Sequence, residues 1–135
     1  MNRRVGGEAG NVSLMTIGFV IVLVMLCAVV VNASDAYLDR QELMNLADGA
    51  ALTAADGLDE SAFYGGRAVT LDPAEARRLV DDYVGGRGAR VVGVDVAGNE
   101  VSVRLERRLD LVLVPSGWTS GSTVTASASA QLRQA

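Results

Sequence analysis

The sequence predicts an α+β fold: an N-terminal transmembrane helix continues into an amphipathic helix, followed by a small head with one helix on a three-stranded antiparallel sheet. Three patterns predict it: twenty uncharged residues from Val12 to Val31, a helical apolar spacing after them, and alternating apolar residues beyond residue 90. About 100 residues lie outside the apolar run, enough for one small domain and not for two.

The run from Val12 to Val31 is long enough to cross a bilayer as a helix. Thirteen of its twenty residues are Val, Ile, Leu or Phe. Such a helix is about 30 Å long, which matches the thickness of the hydrocarbon core. Its thirteen strongly apolar residues favour insertion by about 4–8 kcal/mol. We therefore expect one membrane span.

The positions of the arginines predict the orientation of that span. Arg3 and Arg4 precede it, and no further Arg occurs before Arg40. By the positive-inside rule we expect a cytoplasmic N-terminus and an extracytoplasmic C-terminal domain. A signal peptide cleaved after Ala33 is the alternative, but a signal peptide's apolar region usually has about 7–15 residues. The predicted divisions are N-terminus 1–11, transmembrane helix 12–33, amphipathic helix 34–58 and head 59–135.

Residues 34–58 have the apolar spacing of an amphipathic helix. The stripe narrows to alanine toward its end, and small side chains allow a neighbouring helix to approach closely. Two interpretations remain open: one helix continuous with the span, or a short helix that serves only the core of the domain. The candidates on this stripe for helix packing or for contact with a partner are Leu43, Ala47, Ala50, Ala51 and Ala54.

A loop and a second helix are predicted next. Gly57 to Leu71 is typical of a loop. Asp72 and Pro73 predict a helix start, and Glu75 completes a capping-box pattern. We expect this helix to end at Val84, before a pair of glycines. Its expected inward residues are Ala76, Leu79, Val80 and Tyr83.

Alternation after residue 90 predicts three antiparallel strands. Val92, Val94 and Val96 form the apolar face of the first, and a turn at 97–99 leads to the second. The second keeps its alternation to residue 113, with Arg107 marking a strand end or a solvent edge. The third spans 123–132. Helix 73–84 is the nearest element that can cover the apolar face.

The composition argues against an enzyme. The chain has no His and no Lys, and its one cysteine, Cys27, lies inside the apolar run. Acidic residues near Asp56 lack the ligand ladder of a calcium loop. We therefore expect no catalytic residue, cofactor or metal. The net charge of −4, with no basic aromatic patch, argues against nucleic acid as a partner.

Residues 6–55 resemble a known family. A stretch GNVS opens the span, and residues 40–55 read RQELMNLADGAALTAA. This is similar to the TadE/TadG-like family of the tight-adherence (Flp-type) pilus assembly system, whose members show a "G-x-v-s/a" opening, a span and "R-x-x-l-Q-n-a-a-D-a-A-A-L-A-a-A". Thr53 replaces an alanine of that signature. The residues that fall on it are Asp48, Ala50, Ala51, Leu52 and Ala54.

The resemblance implies a single-pass, pseudopilin-like protein of the bacterial cell membrane that assists assembly of a Flp/Tad-type pilus or related secretion apparatus. Its implied partners are other pilus or secretion subunits, or further copies of itself. TadE-type members are cut after a glycine and carry glutamate five residues into the mature chain. Cleavage after Gly10 would put Met15 at that position, and cleavage after Gly7 would put Val12 there. The missing glutamate favours the unprocessed, TadG-related members.

A second function remains open for this sequence. Trp118, the one tryptophan, lies between turn residues, where it is either a plug over the core or a loop contact for a partner. In the second case the protein is a membrane-anchored extracytoplasmic binding module unrelated to a pilus.

Overall fold

A computed structural model of the chain describes residues 8–65, 72–109 and 122–132. The strands form one antiparallel sheet in the order β1-β2-β3. The predicted α+β class is confirmed, with a long apolar N-terminal helix and a head of one helix and three strands. The elements are α1 (Glu8–Gly65), α2 (Pro73–Val84), β1 (Arg90–Ala97), β2 (Glu100–Arg108) and β3 (Thr123–Gln131).

The helix α1 is uninterrupted over 58 residues, which corresponds to about 87 Å. Its apolar and amphipathic parts are therefore one helix, as the first of the two open interpretations states. Hydroxyl groups along it donate to the carbonyl one turn earlier: Thr16 to Val12 and Ser34 to Val30, both at 2.9 Å. Such bonds satisfy polar side chains where water is absent.

The C-terminal end of α1 differs from the prediction. The helix continues to Gly65, so the predicted loop was wrong for residues 57–65; residues 66–71 lie outside the described residues. One glycine inside a helix costs only about 1 kcal/mol relative to alanine. A Cβ added to Gly57 would lie 2.8 Å from Cδ1 of Leu79 on α2. This glycine therefore marks a close helix–helix contact and not a turn.

The helix α2 begins and ends where the capping pattern predicts. Oδ1 of Asp72 accepts a hydrogen bond from the Ala74 amide at 2.9 Å, and Pro73 starts the first turn. The Glu75 side chain accepts two hydrogen bonds from Arg78, so its carboxylate is engaged along the helix and not with the cap. The Gly85 amide donates to the Asp81 carbonyl at the C-terminal end.

The core lies between the sheet and both helices. β2 contributes three fully buried residues, Val101, Val103 and Leu105, and α2 contributes Ala76 and Val80. α1 packs on β2 and β3, whereas α2 packs on β1 and α1. The sheet is therefore covered by two helices, and not by helix 73–84 alone. The buried residues of α1 are Leu43, Leu46, Ala47, Ala50, Ala51, Ala54, Ala55 and Leu58.

A β-bulge changes the predicted face of β1. Val91 lies opposite Leu105 and Gly93 opposite Arg104, so Val92 is the additional residue of the bulge. Val92 is 43% exposed, and its predicted place on the apolar face was wrong. The alternation of apolar residues in a sequence does not show where a bulge adds a residue, because the added residue has the same place in the pattern as any other.

The other two strands follow the predicted pattern within the described residues. On β3, Val124, Ala126, Ala128 and Ala130 belong to or pack against the core, and Leu132, just after the strand, is buried in it. β2 ends at Arg108, so Arg107 lies at a strand end. Leu109, the first residue of the predicted continuation, is buried but lies just after the strand; residues 110–113 fall outside the described residues.

Candidate functional site

The apolar part of α1 contacts no other described element. Every residue from Val12 to Val31 except Ala28 is exposed, and within the described residues one helix is long and apolar enough to cross a membrane. An exposed apolar surface of this size is typical of a membrane or protein interaction site.

The predicted helix-packing or partner residues of α1 all lie in the core of the head. Leu43, Ala47, Ala50, Ala51 and Ala54 are all 0% exposed, and all belong to the core that α1 forms with the sheet and α2. The alanine stripe therefore packs inside the head, although the helix that carries it is continuous with the apolar run. In this fold these residues are not available to a partner.

The alanines have a clear packing role. Three alanines of β3, Ala126, Ala128 and Ala130, belong to or pack against the same core. Small side chains on both surfaces allow the helix axis to lie close to the sheet. α2 approaches α1 in the same way, because Gly49 leaves room for the Tyr83 ring and Gly57 leaves room for Leu79.

The opposite face of α1 carries apolar residues that have no core to fill. Leu38 and Leu52 are both exposed, at 62% and 57%. Asp48 is one helical turn before Leu52 and is exposed as well. Sequence reasoning missed this outward face because it followed the alanines; the signal was an aliphatic residue, Leu52, lying outside the buried stripe.

An arginine connects the sheet to α1 near the exit from the apolar run. Arg107 lies on the inward face of β2, and its side chain is only 12% exposed. It lies 3.4 Å from the Glu42 carboxylate and 4.0 Å from that of Asp39, and it donates to the Arg87 carbonyl at 3.0 Å. The guanidinium of Arg87 lies over the Tyr83 ring at 4.4 Å. Arg107 therefore holds the end of β2 against two other parts of the head: α1, and the segment that connects α2 to β1.

One surface ion pair, between Glu75 and Arg78, shifts the pKa of both of its partners. Hydrogen bonds from Arg78 lower the pKa of the Glu75 carboxyl, and Glu75 raises the pKa of Arg78. Because the folded-state pKa of Glu75 is lowered, the stabilisation is present at neutral pH and lost as the pH falls through that value. The pair lies at the surface, so it stabilises α2 weakly.

Chemical candidates are few in the described part of the chain. No group of three or more His, Cys, Asp or Glu side chains could hold a metal ion there. Phe63 and Tyr64 form an edge-to-face pair at the end of α1, and both are exposed. Trp118, the candidate core plug or loop contact, lies outside the described residues.

These features define a class of protein: a small α+β head whose core is built on the outer half of a helix that is long and apolar enough to span a membrane. Residues 10–57, just over a third of the chain, match the model of a family described as putative Flp pilus-assembly TadE/G-like. The match covers the apolar run and the buried stripe of α1, and it confirms the TadE/TadG-like resemblance. No curated protein and no solved structure matches the chain.

The family points to pilus assembly and to a membrane location. It is a structural and assembly family, not one known for enzymes. The matched segment ends at residue 57, so it includes only the α1 part of the head core.

Proposed function

We propose that this protein is a single-pass, pseudopilin-like component that assists assembly of a Flp/Tad-type pilus or a related secretion apparatus through protein–protein contacts. Arg3 and Arg4 favour a cytoplasmic N-terminus, with the head outside the cytoplasm. The observation that supports this function most is the continuity of the matched segment. The same helix carries the apolar run and forms the core of the head.

That continuity gives the head a fixed relation to the membrane helix. A helix without an internal break transmits position and rotation from one end to the other. A subunit contact made by the head therefore also orients the apolar run, and a contact between apolar runs orients the head. This coupling suits a protein that aligns other subunits during assembly.

The outward face of α1 is the surface that we assign to subunit contact. Leu52 falls on the family signature, yet the core of the head does not use it. Asp48 also falls on that signature, and it lies one turn away on the same exposed face. The buried alanines of the signature are explained by packing inside the head, whereas these two residues are not.

The test compares two exposed aliphatic residues in the native host. A strain lacking the protein is complemented with the wild type, with Leu52→Glu or with Val92→Glu, and surface pili are counted by electron microscopy. We expect Leu52→Glu to abolish or strongly reduce piliation, because a charge is placed in the proposed contact. Val92 is similarly exposed but lies on the β1 bulge, so Val92→Glu should restore normal piliation.

Membrane levels of both variants are measured by immunoblot, so that a lost contact is distinguished from lost protein. Normal piliation in the strain without the protein would refute a role in assembly and favour the anchored binding module. Equal loss with both variants would refute the assignment of the contact to the Leu52 face.

A further inference from the structure

We infer that the head rests directly on the membrane, and that an open groove at its membrane-facing end binds the phosphate of a phospholipid headgroup. The groove lies between the first turns of α1 beyond the apolar run and the beginning of β3. The inference rests on the proposed membrane insertion of α1 and not on the role in pilus assembly. The residues that line the groove are Ala33, Ala36, Tyr37, Arg40, Thr123, Val124 and Thr125.

The position of the groove follows from the helix rise. The apolar run ends at Val31, so Ala33 lies about 3 Å and Arg40 about 13 Å beyond its end along α1. The headgroup layer of one leaflet is about 5–8 Å thick. The α1 side of the groove therefore extends through the headgroup layer and just beyond it.

The sheet begins at the same level. Thr123 and Thr125 line the groove together with residues of α1 from this first segment. The Ser122 carbonyl accepts a hydrogen bond from the Leu109 amide at 2.9 Å, which holds the end of β2 beside the start of β3. Within the described residues, the beginning of β3 therefore lies beside the first turns of α1 beyond the apolar run.

The groove is the uncovered continuation of the core-facing stripe. Ala33, Ala36 and Arg40 have the same helical spacing as Leu43 and Ala47, which the head covers completely. Below Leu43 the sheet no longer covers this stripe, and an arginine takes the place of an alanine or leucine. A cation on the side of the helix that faces the groove is the group expected for an anionic ligand.

The charges around the groove leave Arg40 available. Asp39 and Glu42 lie near Arg107, which balances part of their charge. Asp35 lies one turn nearer the membrane and is half-buried. In the described part of the chain Arg40 forms no ion pair. Its long side chain can reach back toward the phosphate level while its stem lies along the apolar wall.

The other groups fit a membrane interface as well. Tyr37 is exposed, and tyrosine is enriched at the level of the headgroups. Val124, which packs against the core, gives the groove an apolar wall on the β3 side. Asp35 and Asp39 lie close by and offset part of the positive charge of Arg40. The groove therefore recognises the phosphate group that all phospholipids share, and it does not require a lipid with a net negative charge.

The experiment uses the full chain in phosphatidylcholine nanodiscs whose lipids carry a nitroxide on the headgroup. Cys27→Ala provides a cysteine-free background, and a fluorophore is attached after Ser122→Cys or Asn99→Cys. Ser122 precedes β3 beside the groove, whereas Asn99 lies at the turn at the other end of β2, about 30 Å along the strand. We expect nitroxide quenching to be several-fold stronger at position 122 than at position 99.

Two arginine variants then test the groove itself. Arg40→Gln should reduce the quenching at position 122, because the head is held less closely to the headgroups. Arg104→Gln changes an exposed arginine on the outer face of β2 and should leave the quenching unchanged. Circular dichroism of each variant confirms that the helix and sheet are retained.

Equal quenching at positions 122 and 99 would refute a head that rests on the membrane. Strong quenching at 122 that Arg40→Gln does not alter would refute phosphate binding by the groove. If position 122 is shielded from both the nitroxide lipid and aqueous iodide, another protein segment occupies the groove, and the inference is wrong. None of these outcomes depends on whether the host forms pili. Failure of this inference can therefore be distinguished from failure of the proposed role in pilus assembly.

Discussion

At the scale of single residues, Gly49 of α1 shows that packing outweighs helix propensity. Alanine is the better helix former by about 1 kcal/mol. A Cβ at Gly49, however, would overlap the Tyr83 hydroxyl and lie 3.0 Å from Cζ of the same ring. Gly57 has the same relation to Leu79. Both glycines lie where α2 crosses α1, so they set the distance between the two helices.

We expect Gly49→Ala to lower the stability of the head, although the change favours a helix. Overpacking typically costs about 1–3 kcal/mol, which exceeds the gain in propensity. Tyr83→Phe removes the overlapping oxygen and should recover part of the loss in the double variant. Thermal unfolding of the full chain in detergent, followed by circular dichroism, measures both changes.

Gly65→Ala provides the control, because a Cβ added at Gly65 meets no heavy atom within 4 Å. Its melting temperature should remain close to that of the wild type. A Gly49→Ala variant with a higher melting temperature than the wild type would show that α1 and α2 can move apart without loss of stability. That result would contradict a packing role for Gly49.

At the scale of elements, Arg107 is a polar connection between the sheet and α1 near the end of the apolar run. The apolar face of β2 ends with this residue, where the head core gives way to the groove. Its guanidinium bonds to the Arg87 carbonyl and lies near two carboxylates of α1, while its Nε has no partner among the described residues. The sequence pattern indicated only that the apolar face was interrupted here.

We expect Arg107→Ala to destabilise the head by about 1–2 kcal/mol, since hydrogen bonds from a charged and mostly buried group are lost. Arg90→Ala is the matched control. Arg90 forms a shorter ion pair with Glu106, at 3.0 Å, but its side chain is 77% exposed. Solvent-exposed pairs typically contribute about 0–1 kcal/mol. Denaturant unfolding should therefore give Arg107→Ala a clearly lower free energy of unfolding than Arg90→Ala. The reverse order would show that the length of an ion pair matters more to stability than its burial.

At the scale of the whole molecule, the head cannot be separated from α1. The predicted boundary between residues 58 and 59 falls inside this helix. Residues from Leu43 to Leu58 provide much of the buried apolar surface, and they pack against β2, β3 and α2. The apolar run, by contrast, provides nothing to the core.

We expect a chain that begins at Ser34 to be soluble and to unfold cooperatively, because it keeps all of the core and lacks the apolar run. A chain that begins at Asp59 should fail to fold, because its sheet loses the helix that covers β2 and β3. Circular dichroism and thermal unfolding distinguish the two. Cooperative unfolding of the chain from Asp59 would contradict the assignment of α1 to the core.

The accuracy of sequence reasoning differed between parts of the molecule for physical reasons. α2 could be placed to the residue because its start depends on local groups, the Asp72 side chain and the Pro73 ring. The face of β3 could be read from strict alternation. The face of β1 could not, because a bulge depends on the register with β2. The partner contacts could not either, because an alanine stripe fits a partner helix and the head's own sheet equally well.

The sequence by itself determined the class of this protein: an apolar run of bilayer length, an amphipathic helix, and an α+β head with the TadE/TadG-like signature. These features are local, since composition, spacing and capping groups act over a few residues. Only the tertiary structure decided which surfaces are used. The sheet and α2 cover the alanine stripe, leave the face of Leu52 free and open a groove beside Arg40, because residues distant in sequence compete for each face of one helix.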